Sequence, residues 1–163
     1  ATTEIYLFPY MTLSDLICHD KNEGFAGGNN IGIRSAMNQQ ADMVLLLNND
    51  TTVEPDFLNV LVGQYQKHPE TGIFGGLINL YDRKDVIWYG GGYFEPKDGW
   101  GRHERNMEQS PSKGTGVVRE VSFITGCLML IPIRTIERIG LLDEELFLYF
   151  EDTDTAAVSQ KPV

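Results

Sequence analysis

Residues 43–47 read Met-Val-Leu-Leu-Leu, and Asn48-Asn49-Asp50-Thr51 follows without a break. A run with no polar position reads as a strand covered on both faces. Residues 27–39 open on Gly27-Gly28-Asn29-Asn30 and place Ile31, Ile33, Ala36 and Met37 at helical positions. Beyond the strand, Pro55 starts a second helix, in which Phe57, Leu58, Leu61, Val62 and Tyr65 form an apolar stripe. His68-Pro69 ends it, because the residue before a proline is driven out of helical geometry. Residues 72–80 then read as a further strand. Helix, strand, helix, strand is the order of α/β layering with parallel strands.

The rhythm changes after that. Residues 86–94 read as a strand interrupted by Gly90-Gly91-Gly92. Residues 95–116, rich in Gly, Pro, Ser and charge, read as a long loop, either a lid or acceptor contact through Trp100, Arg102 and His103 or a disordered surface loop. Residues 117–121 and 125–131 are strand-like, and 132–139 predict a short helix ended by Gly140. Residues 146–150 are apolar and aromatic, and they lead into Glu151, Asp152 and Asp154. Segments 5–8 and 14–18 are too short to assign. A length of 163 residues fits one domain, residues 1–163, around one core.

Composition excludes several function classes. The net charge of −10 and the 13 scattered basic residues argue against a nucleic-acid groove, which needs Lys and Arg against phosphate. An acidic chain still binds a nucleotide where a divalent cation neutralises the diphosphate. No run of eighteen apolar residues is present, so no membrane span is expected. No basic stretch precedes an apolar block at the N-terminus, and the expected address is cytoplasmic, with the inner face of the membrane as the alternative. Cys18 and Cys127 stand alone, which speaks against a disulfide framework or a zinc site, and Cys127 reads as a buried small hydrophobe.

Three constellations can carry chemistry. Asn48-Asn49-Asp50 follows the buried strand, and ligands of open α/β sheets sit at strand carboxyl ends. A carboxylate there suits a cation that also touches phosphate, and the competing reading is an Asn/Asp turn. The second is Asn22-Glu23-Gly24-Phe25-Ala26-Gly27-Gly28-Asn29-Asn30. Its glycines allow close backbone approach, and a helix N-terminus offers N–H groups to an anion. It has neither the Walker lysine nor the dinucleotide glycine spacing, and a plain Gly-rich turn competes with it. The third is Asp143-Glu144-Glu145 followed by Glu151-Asp152-Thr153-Asp154, either a source of a general base or a solvated acidic turn.

Taken in order, these segments resemble a known family. Asn-x-Gly-Phe-Ala-Gly-Gly-Asn-Asn-x-Gly, Leu-Leu-Asn-Asn-Asp-Thr, Thr-Gly-Cys-Leu-Met-Leu-Ile and Gly-Leu-Leu-Asp-Glu-x-Leu-Phe-Leu-Tyr-Phe-Glu-Asp-Thr-Asp are similar to the motifs of family 2 glycosyltransferases, in the rhamnosyltransferase-like branch. The resemblance covers about residues 22–154. It implies the GT-A fold, an α/β nucleotide-diphosphate-binding domain with a mixed sheet flanked by helices. It implies inverting sugar transfer from a dTDP- or UDP-sugar to a glycan or lipid-linked acceptor in cell-surface polysaccharide synthesis. Asp50 would be the metal ligand for Mg or Mn in a DxD-like motif with Asn48 and Asn49. Asn22 and the Gly28-Asn29-Asn30 turn would line the nucleotide. Asp152 would be the catalytic base with Glu151 in support, and Thr125-Gly126 would border the acceptor.

The chain departs from the family pattern at both ends. The opening strand with its base-reading acidic turn is not found before Asn22, and residues 155–163 do not match the family's basic helical continuation. The expectation is therefore a core clipped at both ends, with homo-oligomerisation through an exposed sheet edge. The alternative function is a catalytically inactive fragment that folds or associates without transferring sugar.

Overall fold

A computed structural model describes residues 5–7, 15–95, 97, 100–111 and 117–146. Helix and strand alternate over residues 24–75, and further strands then follow in succession before the last helix. Strands β1 (Ile5–Leu7) and β2 (Asp15–Ile17) pair antiparallel, with Ile5 opposite Ile17. Helix α1 runs Gly24–Asn38, strand β3 Met43–Leu47 and helix α2 Phe57–Lys67. Short strands β4 (Phe74–Gly75), β5 (Ile78–Asn79), β6 (Ile87–Tyr89), β7 (Gly92–Glu95) and β8 (Trp100–His103) follow. Strand β9 (Leu128–Pro132) leads directly into helix α3 (Ile133–Ile139), which Gly140 ends in the left-handed region at φ 92°.

The central sheet has the order β3-β9-β4, with both pairs antiparallel. Met43 lies opposite Pro132 and Leu47 opposite Leu128. The parallel ladder expected between residues 43–47 and 72–80 does not form. β3 and β4 do run the same way, but β9 enters between them and pairs with each. The reason is long-range: an apolar strand from late in the chain fills the central position, where both its faces are covered.

Alternation along the strands divides the core. Val44, Leu46, Met129 and Ile131 pack on one face with Ala26, Ile33 and Ala36 of α1 and Ile136 of α3. Met43, Leu45, Leu128, Leu130 and Phe74 pack on the other with Phe57, Leu61 and Tyr65 of α2. The continuous apolar run is therefore a strand sandwiched between two helices, as its composition demands. Burial of this kind contributes about 25 cal/mol per Å2 of apolar surface removed from water.

The segment expected to be one strand over residues 72–80 is split into β4 and β5. The expected loop over residues 95–116 contains β8, which forms a hairpin with β7 in the register Gly92–His103 to Glu95–Trp100. The pattern hides this hairpin because its strands carry Gly, Glu, Arg and His, which have weak strand preference in isolation. Residues 117–121, expected to be strand-like, form no strand. Among the described residues, no helix is long and apolar enough to cross a membrane.

Candidate functional site

The carboxyl end of β3 delivers Asn48, Asn49 and Asp50 to an exposed position. The turn that places them closes locally: the Thr51 hydroxyl donates to the Asn48 carbonyl at 2.6 Å, and the Thr51 N–H donates to the same oxygen at 3.3 Å. The turn after the strand and the exposed Asn48-Asn49-Asp50 segment are thus one structure. The Asn48 N–H donates to the Cys127 carbonyl at 3.0 Å, which continues the β3–β9 ladder by one step. This bond fixes the Thr125-Gly126-Cys127 turn beside Asp50.

That second turn is tight. Leu128 N–H donates to the Thr125 carbonyl at 3.3 Å, and the Thr125 side chain is 8% exposed. Gly126 is required by a close approach, because a Cβ there would lie 2.6 Å from the ring of Phe25 in the first turn of α1. The start of α1 is thereby held against the same end of the sheet. Burial pushes the Cys127 thiol up from its ordinary value, and the negative charge of Asp50 adds to that shift.

Helix α1 begins at Gly24, earlier than the sequence pattern places it. The Asn22 side chain accepts a hydrogen bond from the Gly24 N–H at 3.0 Å and so starts the helix. Gly28, Asn29 and Asn30 consequently lie within the helix rather than in a turn before it. The unpaired N–H groups belong to its first turn, ahead of Gly28. The Asn29 amide donates to the Phe25 carbonyl at 2.9 Å.

Asn30 faces the interior and is 1% exposed. Its Nδ2 donates to the Leu142 carbonyl and to Glu144 Oε1, each at 2.9 Å, and its Oδ1 accepts from the Leu142 N–H at 3.0 Å. The protein itself therefore uses both ends of this amide. Arg34, one turn further on, donates to the same Glu144 oxygen at 3.1 Å. The Asn30 and Arg34 hydrogen bonds hold the Glu144 carboxyl below its ordinary range. Asp143 Oδ1 accepts from the Glu145 N–H at 2.9 Å, a local turn that directs Glu144 back toward α1.

The structure brings Asn48-Asn49-Asp50, Thr125-Gly126 and the start of α1 to one end of the sheet. Glu151 and Asp152 lie outside the described residues. Among the described residues no group of three or more His, Cys, Asp or Glu side chains is arranged to hold a metal. Among the described residues the exposed Asp50 carboxylate forms no ion pair, a property it shares with several other surface carboxylates. A single exposed carboxylate suits a hard cation that takes its remaining oxygens from phosphate and water, and does not make an all-protein metal cage. Cys127, expected as a buried small hydrophobe, is only half-buried, and the packing of Phe25 on Gly126 and the Asn30–Glu144 bond escaped sequence reasoning. The signal for Phe25 and Cys127 was their position inside the matching motifs, and no local signal marks a bond spanning residues 30 to 144.

The sequence profile of glycosyl transferase family 2 matches residues 15–131. That span begins before the expected residue 22 and stops short of Glu151-Asp152. The chain is also 28% identical over 140 residues to the dTDP-rhamnosyl transferase RfbF of Shigella flexneri, covering 85% of this chain and 44% of that protein. The chain thus spans less than half the length of this relative.

Proposed function

The protein belongs to glycosyl transferase family 2, whose domain has the GT-A fold, and from that premise we propose that it transfers a sugar, with inversion, from a nucleoside-diphosphate donor to a glycan or lipid-linked acceptor. The observation that carries this reading is the convergence of Asn48-Asn49-Asp50, the Thr125-Gly126 turn and the start of α1 at the carboxyl end of β3. The dTDP-rhamnosyl transferase similarity favours a dTDP-sugar donor, with a UDP-sugar as the alternative. Cell-surface polysaccharide synthesis is the pathway class that suits such a donor.

In this reading Asp50 holds Mg2+ or Mn2+ against the donor diphosphate. The cation would offset charge on the leaving oxygen. Asn48 lies near the ribose or a metal-bound water with Asn49 beside it, Asn22 and Gly28-Asn29 within α1 belong to the nucleotide side, and Thr125-Gly126 borders the acceptor. Asp152, supported by Glu151, takes the proton of the acceptor hydroxyl as the new glycosidic bond forms and the diphosphate departs. A positioned base of this kind contributes on the order of 100- to 10,000-fold in rate. Association of copies through the edge that β3 or β4 forms among the described residues belongs to the same reading, and light scattering showing only monomer would remove that part.

The test is titration calorimetry with dTDP and UDP, each with and without Mn2+. Binding of one nucleotide that requires Mn2+ and is lost in Asp50→Asn is the expected result. Unchanged affinity in Asp50→Asn would refute the assignment. Asp152→Asn is expected to retain dTDP binding and to lose release of dTDP from dTDP-rhamnose. Near-wild-type release would exclude Asp152 as the base.

A further inference from the structure

The ring of Phe25 and the backbone of Gly126 are matched in size. A Cβ at Gly126 would lie 2.6 Å from Phe25 Cζ and 3.1 Å from Cε1, nearer than such atoms approach one another. The Gly126 backbone lies outside the left-handed region, so the ring, and not the backbone conformation, demands glycine there. Phe25 is packed against the core that holds Ala26, Val44 and Met129, which restricts where its ring can go. Its backbone is held as well. The Asn29 amide donates to the Phe25 carbonyl at 2.9 Å, and the Asn22 side chain accepts the N–H of the preceding Gly24 at 3.0 Å.

Printed bonds lead from this contact to Asp50. Cys127 follows Gly126, and its carbonyl accepts the Asn48 N–H at 3.0 Å. The Asn48 carbonyl accepts both the hydroxyl and the N–H of Thr51. Asp50 lies inside that turn, two residues beyond Asn48, which is at most about 7 Å of extended chain. The turn that carries Gly126 is closed on itself: Leu128 N–H donates to the Thr125 carbonyl at 3.3 Å, and Cys127 N–H donates to the Thr125 hydroxyl at 3.4 Å. Such a turn moves as a unit, because close-packed interiors transmit strain instead of absorbing it. A push at Gly126 is therefore passed to the Cys127 carbonyl and on to Asn48.

We propose that Phe25 is a positioning residue for Asp50: its ring fills the space that glycine leaves at residue 126, sets the place of the Thr125-Gly126-Cys127 turn and, through the Asn48–Cys127 hydrogen bond, the place of the Asp50 carboxylate. This rests on the reading of Asp50 as a cation ligand for a nucleoside diphosphate. The role needs no contact between the ring and the cation or nucleotide. A cation held by one protein carboxylate and by phosphate oxygens binds only where both are in reach, so a displaced turn is felt as weaker metal-dependent nucleotide binding. Either partner changed alone harms the fit, whereas a pair of changes that keeps the combined volume does not. Phe25→Leu removes the far edge of the ring, and Gly126→Ala adds one methyl group at the same place.

The experiment is a double-mutant cycle on Phe25→Leu and Gly126→Ala with three readouts. Calorimetry with Mn2+ and whichever of dTDP and UDP the wild type binds follows the site. Amide hydrogen exchange at Asn48 follows its bond to Cys127 without any nucleotide. The urea midpoint follows global stability. Each single variant is expected to weaken Mn2+-dependent nucleotide binding by about tenfold and to speed Asn48 exchange, and the double variant to return to within about threefold of wild type in both. Ile136→Val, in the same core but in α3 at the far end of β9 from Cys127, is expected to lower the urea midpoint and leave nucleotide affinity unchanged. Unchanged affinity in both single variants, a double variant no better than either, or loss of affinity in Ile136→Val in step with its stability would each overturn the proposal. Should Gly126→Ala fail to fold, the double variant must still fold and bind nucleotide with Mn2+, and its failure counts against the proposal. Wild-type protein that binds neither dTDP nor UDP with Mn2+ defeats the donor reading instead, and recovery of slow Asn48 exchange in the double variant then decides the contact by itself.

Discussion

The β3-β9-β4 sheet and the segment from Val86 to Phe123 are neighbours held together by different physics. The sheet is packed with aliphatic side chains on both faces, among them Val44, Leu46, Met129 and Ile131 against α1 and Leu130 and Phe74 against α2. Contacts of that kind are non-directional and add up with area. The second segment is organised by rings and backbone bonds. Tyr89 is 2% exposed and donates its hydroxyl to the Phe123 carbonyl at 2.7 Å, while the His103 ring stands edge-on to Trp88 and Tyr89 at 4.8 and 5.1 Å. Gly90 N–H donates to the Glu104 carbonyl at 3.1 Å and Glu104 N–H to the Gly91 carbonyl at 2.8 Å. Gly92 lies so close to Phe123 that an added Cβ would sit 2.4 Å from the ring. A sheet core of this type accommodates small shifts and serves as the platform for Asp50. The aromatic segment depends on shape at single atoms.

That contrast can be broken at several points. Met129→Ala empties a fully buried position at the centre of the sheet and is expected to cost about 2–5 kcal/mol. The tryptophans of the chain, Trp88 and Trp100, both lie in the aromatic segment, so fluorescence reports it while far-UV dichroism reports the helices. Both signals should shift together in urea. A fluorescence midpoint that stays put would make the two segments independent units.

Gly92→Ala should cost less, about 1–3 kcal/mol, because the Phe123 ring must yield to one methyl group. Here the fluorescence midpoint should move further than the dichroism midpoint, and Mn2+-dependent dTDP binding should persist. Equal shifts would show that the aromatic segment also supports the sheet. Tyr89→Phe removes the hydroxyl bond to Phe123 and should cost about 1 kcal/mol, read as a lower urea midpoint of the fluorescence signal.

The smallest effect is on the acid side of the stability profile. Asn30 and Arg34 hold the Glu144 carboxyl below its ordinary value. A depressed carboxyl contributes stability above its unfolded-state pKa of 4.5, and that contribution fades as pH falls through the lower folded value. Glu144→Gln should therefore lower the urea midpoint near neutral pH slightly and flatten its decline below about pH 4.5. Identical acid limbs in the two proteins would show that Glu144 carries none of this dependence.

Legibility followed the same division. α2 was readable from its helical apolar stripe, β3 from a continuous apolar run of strand length, and α3 from a short stretch that Gly140 ends. β9 was readable as a strand but not as the central one, since its partners Leu45 and Phe74 lie far upstream. The β7–β8 hairpin was hidden in a polar, glycine-rich stretch, because its pairing answers to Phe123 and not to its own pattern. The candidate site was legible as motifs in order. Its geometry was not: the start of α1 depends on the Asn22 side chain, and the engagement of Asn30 depends on Leu142.

By itself the sequence determined the α/β class, the family, and the delivery of Asp50 from the end of a strand buried on both faces. These follow from local periodicity and from motif residues that carry their own chemistry. Only the tertiary structure decided that β9 separates β3 from β4, that the Thr125-Gly126-Cys127 turn lies beside Asp50, and that the Asn30 amide binds Leu142 and Glu144. Each of those rests on a bond or a close approach between residues distant in the chain, and no local pattern specifies which distant partner a buried polar or apolar group will find.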